Sequence, residues 1–195
     1  MPAAPSRRII WIAVLFYVPM LASAAFVRPR SLLAIGPGPD ALRAQGLGLA
    51  AAAGASLLVV LGSRWASRRT GWGRTLGAEL TALVGGLNST QVLAVSLLSA
   101  FGEELLFRGV ALAYLGLWLQ AALFGLFHFP ARRALWPWTL FALAMGLGLG
   151  ALTGWSGSLW PAVLLHFCVN YFNLHDLAER PPASPPPDPS GRAGP

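Results

Sequence analysis

A chain of 195 residues with 55% hydrophobic and only 11% charged residues has too few polar side chains to cover a water-soluble globule of its size. Its formal net charge of +7 does not indicate a nucleic-acid partner, because the arginines border apolar runs and no nucleic-acid-binding module pattern is visible. A single cysteine, Cys168, excludes an intrachain disulfide and a multi-cysteine zinc site.

Seven apolar runs follow one another along the chain, and a helix needs roughly 20 apolar residues to cross the hydrocarbon core. No strand pattern competes with them. We therefore predict an all-α, polytopic transmembrane helix bundle of about six to seven spans, in contact with the lipid bilayer and multi-pass in the cell (inner) membrane. The predicted spans are Ile9 to Val27, Ala41 to Leu61, Thr75 to Leu87, Val92 to Tyr114, Gly116 to Phe129, Leu135 to Leu152 and Leu159 to about Leu174.

The first run has two interpretations. Arg7 and Arg8, an apolar stretch and the small residues Ala22-Ser23-Ala24 also fit a secretory signal peptide with its cleavage site. We favour a retained helix because further apolar spans follow it, and the cleaved signal peptide stays open as the alternative.

The connections between the runs are rich in arginine, glycine and proline. We predict an arginine-rich loop over residues 63–74, on the cytoplasmic side because it is the most basic connection, and turns at residues 85–91 and 154–158. The fifth run is short and stops at Pro130. Residues 1–179 are predicted to form one transmembrane helical domain, followed by a disordered Pro-rich tail over residues 180–195.

Ionisable side chains inside the apolar runs are few, and each is costly enough in a membrane to be a functional candidate. These ionisable side chains are of the types that transfer protons and activate water, and the amide of one asparagine in the same runs can stabilise developing charge. The candidates are Glu103, Glu104 and Arg108 in the fourth run, His128 in the fifth, and His166 with Asn170 in the seventh.

The spacing from Arg108 distinguishes Glu104 from Glu103. Glu104 and Arg108 stand at positions i and i+4 and share a helix face, where the arginine can neutralise the acid. Glu103 lies about 100° round the helix without that partner, and it is our candidate general base. Taken alone, the Glu104–Arg108 pair is equally well explained as a structural ion pair.

His166 and Asn170 also stand at i and i+4, and we expect them to hold a substrate carbonyl oxygen and stabilise the oxyanion formed on attack by water. His128 lies on another helix and can converge on Glu103. Phe124, one turn before His128 on the same face, is expected to exclude water or pack on substrate. Each histidine alone is more often a packed residue, but the combination on three spans favours catalysis.

The same residues resemble the three signature motifs of the CAAX prenyl protease and bacteriocin-processing (CPBP, or Abi) family. Glu103–Gly109 is similar to its EExxxR motif with the Phe-Arg-Gly ending, Phe124–His128 to FxxxH, and His166–Asn170 to HxxxN. The resemblance covers roughly Thr75 to Asn173, with the motifs in the family's order.

The resemblance implies an intramembrane endopeptidase with its catalytic core at about residues 75–175. It implies hydrolysis of a peptide bond near the C-terminus of a membrane-associated protein or peptide. The implied roles are water activation by Glu103 and His128, support by Glu104 and Arg108, and an oxyanion site formed by His166 and Asn170.

Two alternatives remain open. The family is often labelled as metalloproteases, and Glu103, His128 and His166 are the alternative zinc ligands, with water in the fourth position. We predict a site without cofactor because no HExxH pattern is present and Asn170 suits an oxyanion donor better than a ligand. The alternative functions are a non-enzymatic bacteriocin-immunity or membrane scaffold protein, and a proton-coupled transporter, for which no inverted repeat is visible.

Overall fold

In the computed structural model, the described residues 5–34, 38–129 and 132–180 form seven α-helices and no strand. The helices are α1 (Pro5–Ala22), α2 (Pro39–Arg69), α3 (Gly71–Val84), α4 (Ser89–Glu104), α5 (Leu112–Phe127), α6 (Trp136–Ser156) and α7 (Trp160–Ala178). A π-helical segment, Leu105–Ala111, joins α4 to α5. The predicted all-α membrane helix bundle is confirmed.

Three helical stretches are long and apolar enough to cross a membrane: Pro39–Arg69, Ser89–Phe127 and Arg133–Ser156. Large apolar side chains on the bundle face outward, as a lipid-facing surface requires; Leu15 is 79% exposed and Trp118 is 76% exposed. The apolar helix Ile10–Phe26 is shorter, and α3 has 14 residues, fewer than a full crossing needs.

The arginine-rich connection is shorter than predicted. Residues 63–69, expected as a loop, continue α2 to Arg69, because arginine is a good helix former and its long side chain reaches the membrane interface from a helix end. The chain turns at Thr70, which is extended (φ −116°, ψ 149°). The Thr70 hydroxyl caps α3 by accepting the Gly73 N–H at 3.0 Å.

The fourth and fifth predicted spans form one continuous helical path with a kink. This helical path begins with a capping box formed by Asn88 and Gln91, which lie within the turn predicted at residues 85–91. Gly116, the predicted start of the fifth span, has φ 73° and ψ 175°, which glycine adopts without a Cβ penalty. The boundary predicted there is therefore a kink within the helix.

The turn predicted at residues 154–158 is also shorter, because α6 continues to Ser156 and ends on Gly157 in the left-handed conformation (φ 63°). The predicted stop at Pro130 and the predicted disorder of residues 181–195 lie outside the described residues.

The helices pack so that α7 lies against α2 and α4, α4 lies against α1, and α5 lies against α6. Small residues allow close approach in such bundles. A Cβ atom at Gly146 of α6 would lie 3.0 Å from Ala121 Cα of α5. This packing places the ends of α4 and α5 beside the middle of α7.

Candidate active site

One cavity of about 950 Å³ brings together four of the polar residues singled out in the sequence, Glu103, His128, His166 and Asn170. They come from α4, from the residue that follows α5, and from α7. The geometry thus unites three parts of the chain that are far apart in sequence. The catalytic roles of these residues stay predictions.

Behind the cavity, Glu104 and Arg108 form a fully buried ion pair. Arg108 Nη1 lies 2.9 Å from Glu104 Oε1, and both side chains are 0% exposed. The guanidinium carbon lies 4.2 Å from the centroid of the Phe124 ring, within the range of a cation–π interaction. Because a charge in apolar surroundings is costly unless it is paired, this contact fixes the position of the Glu104 carboxylate.

Glu104 also holds His166, which sequence reasoning had grouped with Asn170. His166 Nδ1 lies 2.7 Å from Glu104 Oε1. Because an ionised carboxylate only accepts hydrogen bonds, we assign the proton to Nδ1, and Nε2 then faces Glu103 Oε2 at 3.8 Å. The partners are 62 positions apart, so no helical spacing pointed to their contact.

A backbone carbonyl orients the His128 ring in the same way, with Nδ1 as the donor and Nε2 towards Glu103. Its Nδ1 lies 2.7 Å from the Phe124 carbonyl oxygen, which only accepts, so Nδ1 donates. His128 Nε2 then faces Glu103 Oε2 at 3.8 Å. The Phe124 ring packs 4.7 Å from the His128 ring and 6.1 Å from the His166 ring, between centroids. Phe124 therefore supports both imidazoles and the ion pair.

Glu103 is the acid that these side chains surround. Its side chain is buried, with 4% of the residue exposed. Oε2 has no hydrogen-bond partner within the described part of the chain, and at 3.8 Å each imidazole lies beyond direct hydrogen-bond distance. A buried carboxylate oxygen thus faces two imidazole nitrogens across a gap that suits a bridged contact.

The same three side chains are the alternative zinc ligands. A tetrahedral zinc ion with bonds of about 2.0–2.1 Å holds its donor atoms roughly 3.3–3.4 Å apart. Here Oε2 is 3.8 Å from each Nε2, and no group of three or more His, Cys, Asp or Glu in the described ranges is placed to hold a metal ion. The two donor distances are therefore wider than in a tetrahedral zinc site, and a site without cofactor stays a prediction.

Asn170 is held by a serine that the sequence analysis missed. Asn170 Nδ2 donates to Ser99 Oγ at 2.9 Å, and Ser99 Oγ donates to the Ser96 carbonyl oxygen at 3.1 Å. Ser99 lines the cavity one turn before Glu103 and shares its helix face. That i, i+4 relation was available in the sequence, but a serine beside alanines and leucines carries no distinctive signal.

The far end of the cavity is polar. Arg64 donates to both oxygens of Asp176, at 2.6 Å from Nε and 2.9 Å from Nη2. Arg180 Nη2 donates to Ser67 Oγ at 3.3 Å, and no acid of the described chain forms an ion pair with Arg180. Among the described residues, the Arg180 guanidinium at this end therefore has no ion-pair partner.

A buried acid faced by two imidazoles, beside a carboxamide and inside an apolar helix bundle, defines a membrane protein with a hydrolase-like centre. Residues 85–172 match the family model described as "Type II CAAX prenyl endopeptidase Rce1-like", and this segment contains all three motifs. Through this segment the chain is similar to CAAX-type proteases, and the resemblance found in the sequence is confirmed for these residues.

The chain is also similar to "Uncharacterized protein YpbD" of Bacillus subtilis (strain 168), with 36% identity over 81 residues. The alignment covers 40% of this chain and 41% of that relative, so the chain spans less than half of the relative's length. No solved structure matches the chain.

Proposed function

We propose that this chain is an intramembrane endopeptidase of the cell (inner) membrane, crossing it several times. It hydrolyses a peptide bond near the C-terminus of a membrane-associated protein or peptide, with a water activated by side chains alone. One observation carries the proposal: Oε2 of the buried Glu103 faces Nε2 of both His128 and His166 at 3.8 Å inside a cavity of about 950 Å³.

In the first step, Glu103 and His128 act on the water. A water bridging Glu103 Oε2 and His128 Nε2 finds an acceptor for each of its protons. Glu103 takes one proton while the water oxygen attacks the carbonyl carbon of the scissile bond. Glu103 then passes that proton to the amide nitrogen as the C–N bond breaks, which gives a new carboxylic acid and a free amine.

The oxyanion of the intermediate is stabilised by His166 and Asn170. Arg108 neutralises Glu104 in the buried cluster, and a protonated His166 balances the remaining charge of Glu103. With Nδ1 donating to Glu104, the protonated ring offers its Nε2–H to the oxyanion, beside the second amide hydrogen of Asn170. Removing one such donor typically lowers kcat about 10²–10³-fold.

The polar end of the cavity supports cleavage near a C-terminus. The charge of Arg180 suits a terminal carboxylate, and Arg180 lies about 21 Å beyond His166 at 1.5 Å per residue of helix. The arginine side chain shortens this gap, and an extended peptide covers about 3.3–3.6 Å per residue. When Arg180 holds the terminal carboxylate of a substrate, the peptide bond about four to six residues upstream of that terminus therefore lies over Glu103.

The decisive experiment replaces Glu103 by glutamine, which keeps the shape and removes the base. We expect cleavage to fall by about 10²–10⁴-fold without loss of folded protein. Mass spectrometry of membrane-protein C-termini, from cells with wild-type protein or Glu103→Gln, identifies the substrate and measures the loss. Glu79→Gln is the matched control, because Glu79 pairs with the 71%-exposed Arg132 away from the acid–imidazole cluster.

Other outcomes point to other functions. Wild-type biological activity of Glu103→Gln would support the immunity or scaffold alternative, since binding alone does not need this base. Cleavage that stops with a strong chelator and returns with zinc would replace the proposed chemistry by zinc chemistry.

A further inference from the structure

Helix α1 brings a side chain to the cavity that no motif marks. Tyr17 lines the cavity together with Glu103 and Ser99, and its hydroxyl faces the Glu103 carboxylate. Tyr17 lies well before residues 85–172, the segment matched by the family model.

Close packing of α1 on α4 explains how Tyr17 reaches the site. Gly102, directly before Glu103, has no side chain. A Cβ atom there would lie 3.3 Å from Met20 Cβ and 3.4 Å from both Tyr17 Cδ1 and the Tyr17 carbonyl oxygen. The two helix backbones therefore approach each other closely beside the candidate base, as small residues allow in membrane bundles.

We propose that Tyr17 is a positioning residue whose hydroxyl donates to the Glu103 carboxylate and turns Oε2 towards the two imidazoles. This inference rests on the proposed function. The terminal torsion of a glutamate is broad, so a carboxylate needs a partner to hold its plane. Oε2 has no such partner in the described part of the chain, and it is the oxygen that faces both histidines. A consequence is that α1 takes part in the proposed reaction.

The first test is Tyr17→Phe in the full chain, which removes the hydroxyl and keeps the ring. We expect kcat to fall about ten-fold or more, as for a hydrogen bond to a charged group, with KM within about two-fold and an unchanged melting temperature. Tyr114→Phe, at a 69%-exposed tyrosine, is the control and should behave as wild type. A tyrosine that only fills space would tolerate phenylalanine.

The outcomes separate the two proposals. Wild-type kcat in Tyr17→Phe, with cleavage abolished in Glu103→Gln, overturns the role of Tyr17 and leaves the proposed function intact. Cleavage that survives Glu103→Gln overturns the proposed function itself.

The second test needs no substrate. Met20→Cys with Gly102→Cys, in a Cys168→Ser background, places two Cβ atoms near 3.3 Å, close to the roughly 3.5–4.5 Å of disulfides. We expect this pair to cross-link on mild oxidation, whereas Leu15→Cys with Gly102→Cys, from the 79%-exposed face of α1, does not. Peptide mass spectrometry detects the link. Absence of the Met20–Gly102 link overturns the placement of α1, and the role of Tyr17 with it.

Discussion

Replacing Arg108 by methionine removes the positive charge from the buried pair and leaves the Glu104 carboxylate in apolar surroundings. At the observed 2.9 Å, two unit charges attract by about 6 kcal/mol at an effective dielectric constant of about 20. Desolvation offsets part of this, and removal of one partner from a buried pair typically costs about 3–5 kcal/mol. We expect the melting temperature of Arg108→Met in detergent to fall by roughly 10 °C.

The exposed pair between Arg132 and Glu79 is the matched control. Its atoms are closer, at 2.6 Å, but the side chains are 71% and 29% exposed, so Arg132→Met should cost at most about 1 kcal/mol. The double variant Glu104→Gln/Arg108→Met should regain most of the lost stability because no unpaired charge remains. Cleavage should stay low, since His166 would face a neutral amide. If Arg108→Met melts no lower than Arg132→Met, the pair does not hold Glu104 as we argue.

Two further predictions concern packing and orientation. A Cβ at Gly109 would lie 2.8 Å from Val27 Cγ2, so Gly109→Ala should lower the free energy of unfolding by about 1–3 kcal/mol. A Cβ at Gly62 in α2 would meet nothing within 4 Å, so Gly62→Ala should raise the free energy of unfolding by up to about 1 kcal/mol. Melting temperatures that shift in the same direction would contradict the close contact at Gly109. Ser99→Ala removes the acceptor of Asn170 Nδ2 and should lower kcat about five- to ten-fold with KM and melting temperature unchanged. Wild-type kcat in Ser99→Ala would show that Asn170 is not oriented by this serine.

The sequence predicts best what one helix decides by itself. The i, i+4 spacing of Glu104 and Arg108 anticipated their contact, and the Phe124 to His128 spacing anticipated a shared face. Neither spacing carries information on which helices become neighbours. The contact of Glu104 with His166 and the place of Tyr17 beside Glu103 at the cavity depend on how α7 and α1 pack on α4, and only the structure shows them.

Helix ends were predicted less well where two physical signals disagree. Residues 63–69 carry arginines that mark a membrane border, yet the same arginines favour a helix, and α2 continues through them. Gly154 was interpreted as part of a turn, but α6 passes through it and ends at Gly157, where the left-handed conformation requires glycine. Composition located these borders along the chain but not the residue at which the backbone turns.

Helix geometry itself explains why two adjacent acids have different surroundings. Neighbouring residues project about 100° apart, so Glu103 and Glu104 cannot face the same space. Glu104 points into packed protein, where only a charged partner makes burial tolerable, and Arg108 and His166 meet it there. Glu103 is thereby directed to the cavity, where no guanidinium of the described chain pairs with it. The buried pair thus determines which of the two carboxylates is left for the chemistry that we propose.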